Sequence, residues 1–173
     1  MARFSVDEAA AAVGGRITVG DPRAVIDGAA LDSRAVAGGE LFFAFGGSHT
    51  DGHAFVPDAF ARGAAAAMVQ QPVAPPDRGA LITVPDTLKA LHALARYLRA
   101  RLPERLVGIT GSAGKTTTKE LLTKILRTRF QVASTPGNFN NHYGFPLSLL
   151  NVPEGTEWMF AEMGMSSAGE LAE

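Results

Sequence analysis

The run Thr110-Gly111-Ser112-Ala113-Gly114-Lys115-Thr116-Thr117 holds residue types at a spacing suited to chemistry. Its glycines permit a tight loop whose backbone N–H groups converge on one point, and a helix starting at Lys115 would add its positive end there. Phosphate is the natural occupant of such a place. A lysine in the first helical turn is otherwise disfavoured by the helix dipole, by about 0.3–1 kcal/mol. An anion held between Lys115 and the loop reverses that sign. On this reading Gly111, Ser112, Ala113, Gly114, Lys115, Thr116 and Thr117 hold the phosphates of a nucleotide. Lys115 reaches the terminal phosphates as the catalytic cation, and the Thr116 hydroxyl ligates magnesium. The strict G-x-x-x-x-G-K-[ST] spelling is not met, since Ile109 stands where its first glycine belongs. A glycine-rich turn that merely joins a strand to a helix is the plain alternative.

Glu162 is the second metal candidate. It ends the apolar run Trp158-Met159-Phe160-Ala161, and a carboxylate at the carboxyl end of a buried strand can share magnesium with a loop threonine. It could instead cap the following turn. Between these two sites, Thr135-Pro136-Gly137-Asn138-Phe139-Asn140-Asn141 is a loop of amide donors and acceptors placed after a strand, where sheets of this class bind ligands. In the first half, Ser33 and Arg34 occupy one polar loop, and His49, Asp51, Gly52 and His53 another. Arg34 could fork onto a phosphate. By spacing alone, however, Asp32-Ser33 and Asp51-Gly52 are accounted for as turns with Arg34 solvated.

The elements that would carry these groups follow from pattern. Ser5 with Glu8 is a capping box opening a short helix that ends at Gly14-Gly15. Ala24 to Leu31, Glu40 to Phe45, Ala64 to Val69 and Leu81 to Val84 read as strands, and Phe55, Ala59 and Phe60 as a helix stopped by Gly63. Asp86 caps a long helix with Leu88, Leu91, Leu94, Leu98 and Leu102 along one side. Leu106 to Ile109, the helix after Lys115 with Leu121, Leu122, Ile125 and Leu126, then Gln131 to Ser134 and Trp158 to Ala161, complete the series. The expected fold class is α/β: a small N-terminal α/β domain over residues 1–85, then the first part of a phosphate-loop α/β domain with a mostly parallel sheet over residues 86–173.

The 173 residues carry a net charge of -1 and no cysteine. That balance gives no electrostatic case for nucleic acid or an anionic membrane, and the missing thiols rule out a disulfide framework within the chain. No apolar run approaches a membrane span, and a cytoplasmic setting is the simplest expectation. No Asn-Lys-x-Asp sequence is present to read guanine, which counts against a GTPase.

With these residues in place the chain resembles the Mur ligases, ATP-dependent amide-forming enzymes of peptidoglycan precursor synthesis. Thr110 to Thr116 looks like their ATP loop, which also departs from the strict spacing. Asp32-Ser33-Arg34, Gly39-Glu40-Leu41-Phe42 and Asp51-Gly52-His53 look like their uridine-nucleotide domain. Gly137-Asn138-Phe139-Asn140-Asn141, with Glu162-Met163-Gly164 and Gly169-Glu170, resembles the opening of the central domain, in the branch that adds a dipeptide. The resemblance implies ATP as a substrate, Mg2+ held by Thr116 and Glu162, and UDP-N-acetylmuramoyl-tripeptide and D-alanyl-D-alanine as partners. Ser33 and Arg34 would lie near the UDP moiety, supported by Asp51, Gly52 and His53, while Asn138 and Asn141 would line the path to the muramoyl peptide. It further implies that the chain is an N-terminal fragment, inactive alone, of a protein monomeric at full length. A non-catalytic UDP-sugar or nucleotide-binding module is the alternative.

Overall fold

Ser5 accepts the N–H of Glu8 at 3.1 Å while the Glu8 carboxylate accepts the N–H of Ser5 at 2.9 Å, so the expected capping box is formed. The helix it opens, α1 (Val6–Val13), ends on Gly14 at φ 63°, a left-handed conformation that glycine reaches at little cost. These coordinates belong to a computed structural model, which describes residues 3–47, 50–103, 105–137 and 139–164. The chain divides into two units, Met1–Tyr97 and Leu98–Glu173.

In chain order the first unit contains β1 (Arg3–Ser5), α1, β2 (Arg16–Val19), β3 (Val25–Asp27), β4 (Ala29–Ala30), β5 (Leu41–Phe43), α2 (Val56–Ala61), β6 (Ala66–Val69), β7 (Ala80–Thr83) and most of α3 (Thr87–Arg99). Five strands form one sheet in the order β2-β7-β6-β5-β4, parallel except for β2 on β7. The central strands β5 and β6 are buried along their whole length, which is why Leu-Phe-Phe and Ala-Ala-Met-Val run without alternation. Phe42, Ala44, Val56, Ala59 and Ala67 close the core against them.

The strand expected over Ala24 to Leu31 is instead two. Gly28, at φ 89°, breaks it, so that β3 pairs antiparallel with β1 and β4 joins the larger sheet. The first unit reaches beyond the boundary expected after Pro85 and takes in α3 as far as Tyr97. Asp86 does cap that helix, accepting the N–H groups of Leu88 and Lys89 at 2.9 and 3.0 Å.

The second unit holds β8 (Arg105–Ile109), α4 (Lys115–Arg127), β9 (Val132–Ser134), α5 (Gly144–Leu150) and β10 (Trp158–Glu162). Its sheet is all parallel, ordered β8-β10-β9, with β10 paired on both sides. That central position accounts for the uninterrupted apolar run of β10. Parallel pairing also brings the carboxyl ends of all three strands to one edge, where the loops after β8, β9 and β10 begin.

Candidate phosphate and metal site

Glu162 stands opposite Ile109 in the parallel register of β10 and β8, so the acid ends its strand where the glycine loop leaves the neighbouring one. In that loop Gly111 takes φ 144° and Gly114, the N-cap of α4, takes φ 78°. A Cβ at Gly114 would meet nothing within 4 Å, so the dihedral alone calls for glycine there. The Lys115 ammonium donates to the Gly111 carbonyl at 2.6 Å and is thereby directed back over the loop.

In the first turn of α4, the Thr116 hydroxyl donates to Glu162 Oε2 at 2.9 Å. The other carboxylate oxygen, Oε1, accepts from Asn140 Nδ2 at 3.0 Å. The backbone N–H of Glu162 donates to Thr135 Oγ1 at 2.9 Å, and Lys119 Nζ lies 3.5 Å from Oε2. Burial works against the charged carboxylate, but the bonds from Thr116 and Asn140 and the nearby Lys119 ammonium outweigh it. Glu162 is consequently held below the usual glutamate range. A hydroxyl and an ionised carboxylate side by side are hard oxygen donors, the kind magnesium takes while keeping most of its waters. The donor set therefore fits that ion, with Thr116 and Glu162 as the residues to hold it.

Not every expected asparagine serves the site directly. Asn138 and Gly169-Glu170 lie outside the described residues. Asn141 uses its side-chain oxygen to accept the N–H groups of Tyr143 and Gly144, at 3.1 and 2.8 Å, at the start of α5. Asn140, quoted only as part of a loop, is the residue that reaches the acid. Thr135 and Lys119 were also missed. Lys119 had one legible signal, since it follows Thr116 by three positions and so shares its helix face.

In the first unit, Asp32, Ser33, Arg34 and Gly52 line a groove of about 680 Å3 with Phe42, Phe45, Thr50, Phe55 and Asp58. Asp32 accepts the N–H of Arg34 at 3.0 Å, and its carboxylate takes the Arg34 Nη2–H at 2.6 Å. The side-chain bond to Arg34, with the backbone bond behind it, holds Asp32 down at about 2 and in turn raises the guanidinium. Buried Ser33 donates to Asp58, which is the main reason that acid is lowered.

Gly52 is fixed by close approach: its N–H donates to the Phe45 carbonyl at 2.8 Å, and a Cβ would lie 2.7 Å from Phe45 N. The His53 ring is buried. Its Nε2 accepts the N–H of Gln70 at 3.0 Å, so Nδ1 carries the proton donated to Asp51 at 2.6 Å. Asp51 and His53 therefore spend their polar atoms holding the loop, and neither is among the residues lining the groove.

Two family models match the chain: the Mur ligase family, catalytic domain, over residues 25–99, and the Mur ligase middle domain over residues 109–173. The chain belongs to the Mur ligase family. Among its relatives, the UDP-N-acetylmuramoyl-tripeptide--D-alanyl-D-alanine ligase of Bacillus subtilis is 47% identical over 85% of this chain and 32% of the relative. MurF from Acinetobacter baumannii superposes with a TM-score of 0.84 at 32% identity, covering 98% of this chain and 37% of that one. MurF ligase from Thermotoga maritima, solved in complex with ADP, gives a TM-score of 0.72 at 38% identity over 84% of this chain and 34% of that one. This Mur ligase chain thus spans about a third of the length of the curated relatives it matches.

Proposed function

We propose that this chain supplies the ATP-phosphate site and the uridine-nucleotide groove of a ligase of peptidoglycan precursor synthesis, one that joins D-alanyl-D-alanine to UDP-N-acetylmuramoyl-tripeptide in the cytoplasm. The observation that carries the reading is the 2.9 Å bond from Thr116 to Glu162 beside a glycine loop over which Lys115 is already folded. The names of the relatives support the substrates, and the ADP complex of the Thermotoga maritima neighbour supports the nucleotide.

In this mechanism Gly111 to Thr117 hold the ATP phosphates through backbone N–H groups at the helix start. Lys115 leaves the Gly111 carbonyl for the terminal phosphate and stabilises charge on the transferred group. Magnesium, when bound, neutralises phosphate charge, and Thr116 and Glu162 are the residues that hold it. The γ-phosphoryl group passes to the tripeptide carboxylate with release of ADP. The resulting acyl phosphate is attacked by the amine of D-alanyl-D-alanine, forming the amide and expelling inorganic phosphate. Ser33, Arg34 and Gly52 hold the UDP moiety, Asp51 and His53 fix the loop that carries Gly52, and Asn141 lines the way to the peptide. The protein's contribution is mainly to position the reactants.

The test uses the product of the complete reading frame that holds this sequence. Phosphate release from ATP should require the UDP-tripeptide and D-alanyl-D-alanine together. Release indifferent to either one would sink the ligase reading in favour of a nucleotide-binding module.

A further inference from the structure

Lys119 is fully buried, with 0% of its surface exposed, on a helix whose leucines are not. Its ammonium donates to the Thr135 carbonyl at 2.9 Å and to the Gly137 carbonyl at 3.1 Å, and lies 3.5 Å from Glu162 Oε2. Among the described residues the other acid near it is Glu120, at 3.8 Å and half exposed. A lysine is rarely buried unless its charge is answered. Here one charge answers the acid at the end of β10 and two carbonyls at the end of β9 at the same time. The same stretch of backbone carries Thr135, whose hydroxyl accepts the Glu162 N–H, and it leads to Asn140, which donates to Oε1.

Resting on the phosphate-site reading above, we propose that Lys119 is a positioning residue: a buried cation that ties α4 to the strand end after β9 and fixes the Glu162 carboxylate beside Thr116, setting the site's affinity for magnesium. Its ammonium has no surface from which to touch a nucleotide, so it acts through the acid. Groups from α4, from the chain just after β9 and from the end of β10 meet at one point, and Lys119 joins them. Removing the charge leaves the carboxylate with Thr116 and Asn140 alone and two carbonyls without their donor. Outer partners of metal-holding groups typically change metal affinity by about 10–100-fold.

The experiment titrates Mg2+ into the full chain with ATP and reads ATP affinity calorimetrically, in wild type, Lys119→Met, Glu162→Gln and the double variant. Lys119→Met should raise the Mg2+ concentration needed for tight ATP binding by about 10–100-fold, and change ATP affinity in EDTA by less than about threefold. The double variant should match Glu162→Gln. A wild-type Mg2+ midpoint in Lys119→Met overturns the proposal, as does an equal loss of ATP affinity with and without Mg2+. Should Lys119→Met fail to fold, the double variant decides. Removing both charges relieves the unpaired acid while the two carbonyls lose their donor in either variant, so a double variant more stable to urea than Lys119→Met supports coupling through Glu162, and one no more stable overturns it. ATP binding by wild type that ignores Mg2+ would instead bring down the site reading itself.

Discussion

The groove of the first unit and the phosphate site of the second draw on the same residue types, an acid, a cation and a hydroxyl, under opposite solvation. Arg34 and Asp32 form a short ion pair whose side chains are 81% and 48% exposed. Lys119 and Glu162 form a looser one whose side chains are 0% and 4% exposed. Water screens the first pair, so its good geometry adds little to stability. In the second, each charge depends on the other and on the hydrogen bonds around it, because neither can recover its hydration. Burial rather than separation decides which pair matters more.

Three experiments on four substitutions can break or sharpen that contrast. The largest effect belongs to Lys115→Ala, which removes the cation folded over the glycine loop. ATP affinity should fall about 100-fold by calorimetry, equivalent to roughly 2.7 kcal/mol and in the range of one or two charge-assisted hydrogen bonds. The far-ultraviolet dichroism should stay as in wild type. Retention of normal affinity would place the phosphates elsewhere.

Acid stability comes next. Glu162 is lowered from 4.5, so its contribution is present above that value and fades as pH falls below it. Asp32 is lowered from 3.8 to about 2, so its contribution fades between those values as pH falls. The exposure of Asp32 discounts what its shift does for folding. Thermal melts from pH 7 to pH 2 should therefore show Glu162→Gln flattening the acid loss more than Asp32→Asn does. The reverse ranking would mean that the exposed pair dominates.

The smallest effect is expected for Arg34→Ala, whose urea midpoint should stay close to that of wild type, since an exposed pair adds little to stability. A large drop in that midpoint would show that the groove residue does structural work, and would count against a role for Arg34 reserved for ligand.

Much of this architecture was legible because it rests on local rules. The Ser5–Glu8 box, Asp86 as a cap and the glycines at 14, 111 and 114 each act within a few residues of themselves. The apolar runs of β5, β6 and β10 announced buried parallel strands. What escaped depended on partners distant in sequence. β1 and β2 are short and half exposed, so nothing in Arg3–Ser5 or Arg16–Val19 marks them apart from their pairing with β3 and β7. The helix α5 was missed because Gly144 and Pro146 lie near its start, where both are tolerated but neither advertises a helix.

The helix α4 shows the division most plainly. Its sequence pattern pointed to a face of Leu121, Leu122, Ile125 and Leu126, yet Leu121 is 55% and Ile125 62% exposed, while Lys119 and Thr123 are buried. A hydropathy pattern assigns lysine to water because it knows nothing of the two carbonyls and one carboxylate waiting at the strand ends. The chain's own order determined the glycine loop, the cation in it and the acid that ends β10, since each is written into a strand-loop-helix or a buried strand. Only the parallel register brought Glu162 to Thr116, selected Asn140 over Asn141, and made a buried lysine tolerable, because those choices depend on charges and dipoles that meet in space from separate stretches of chain.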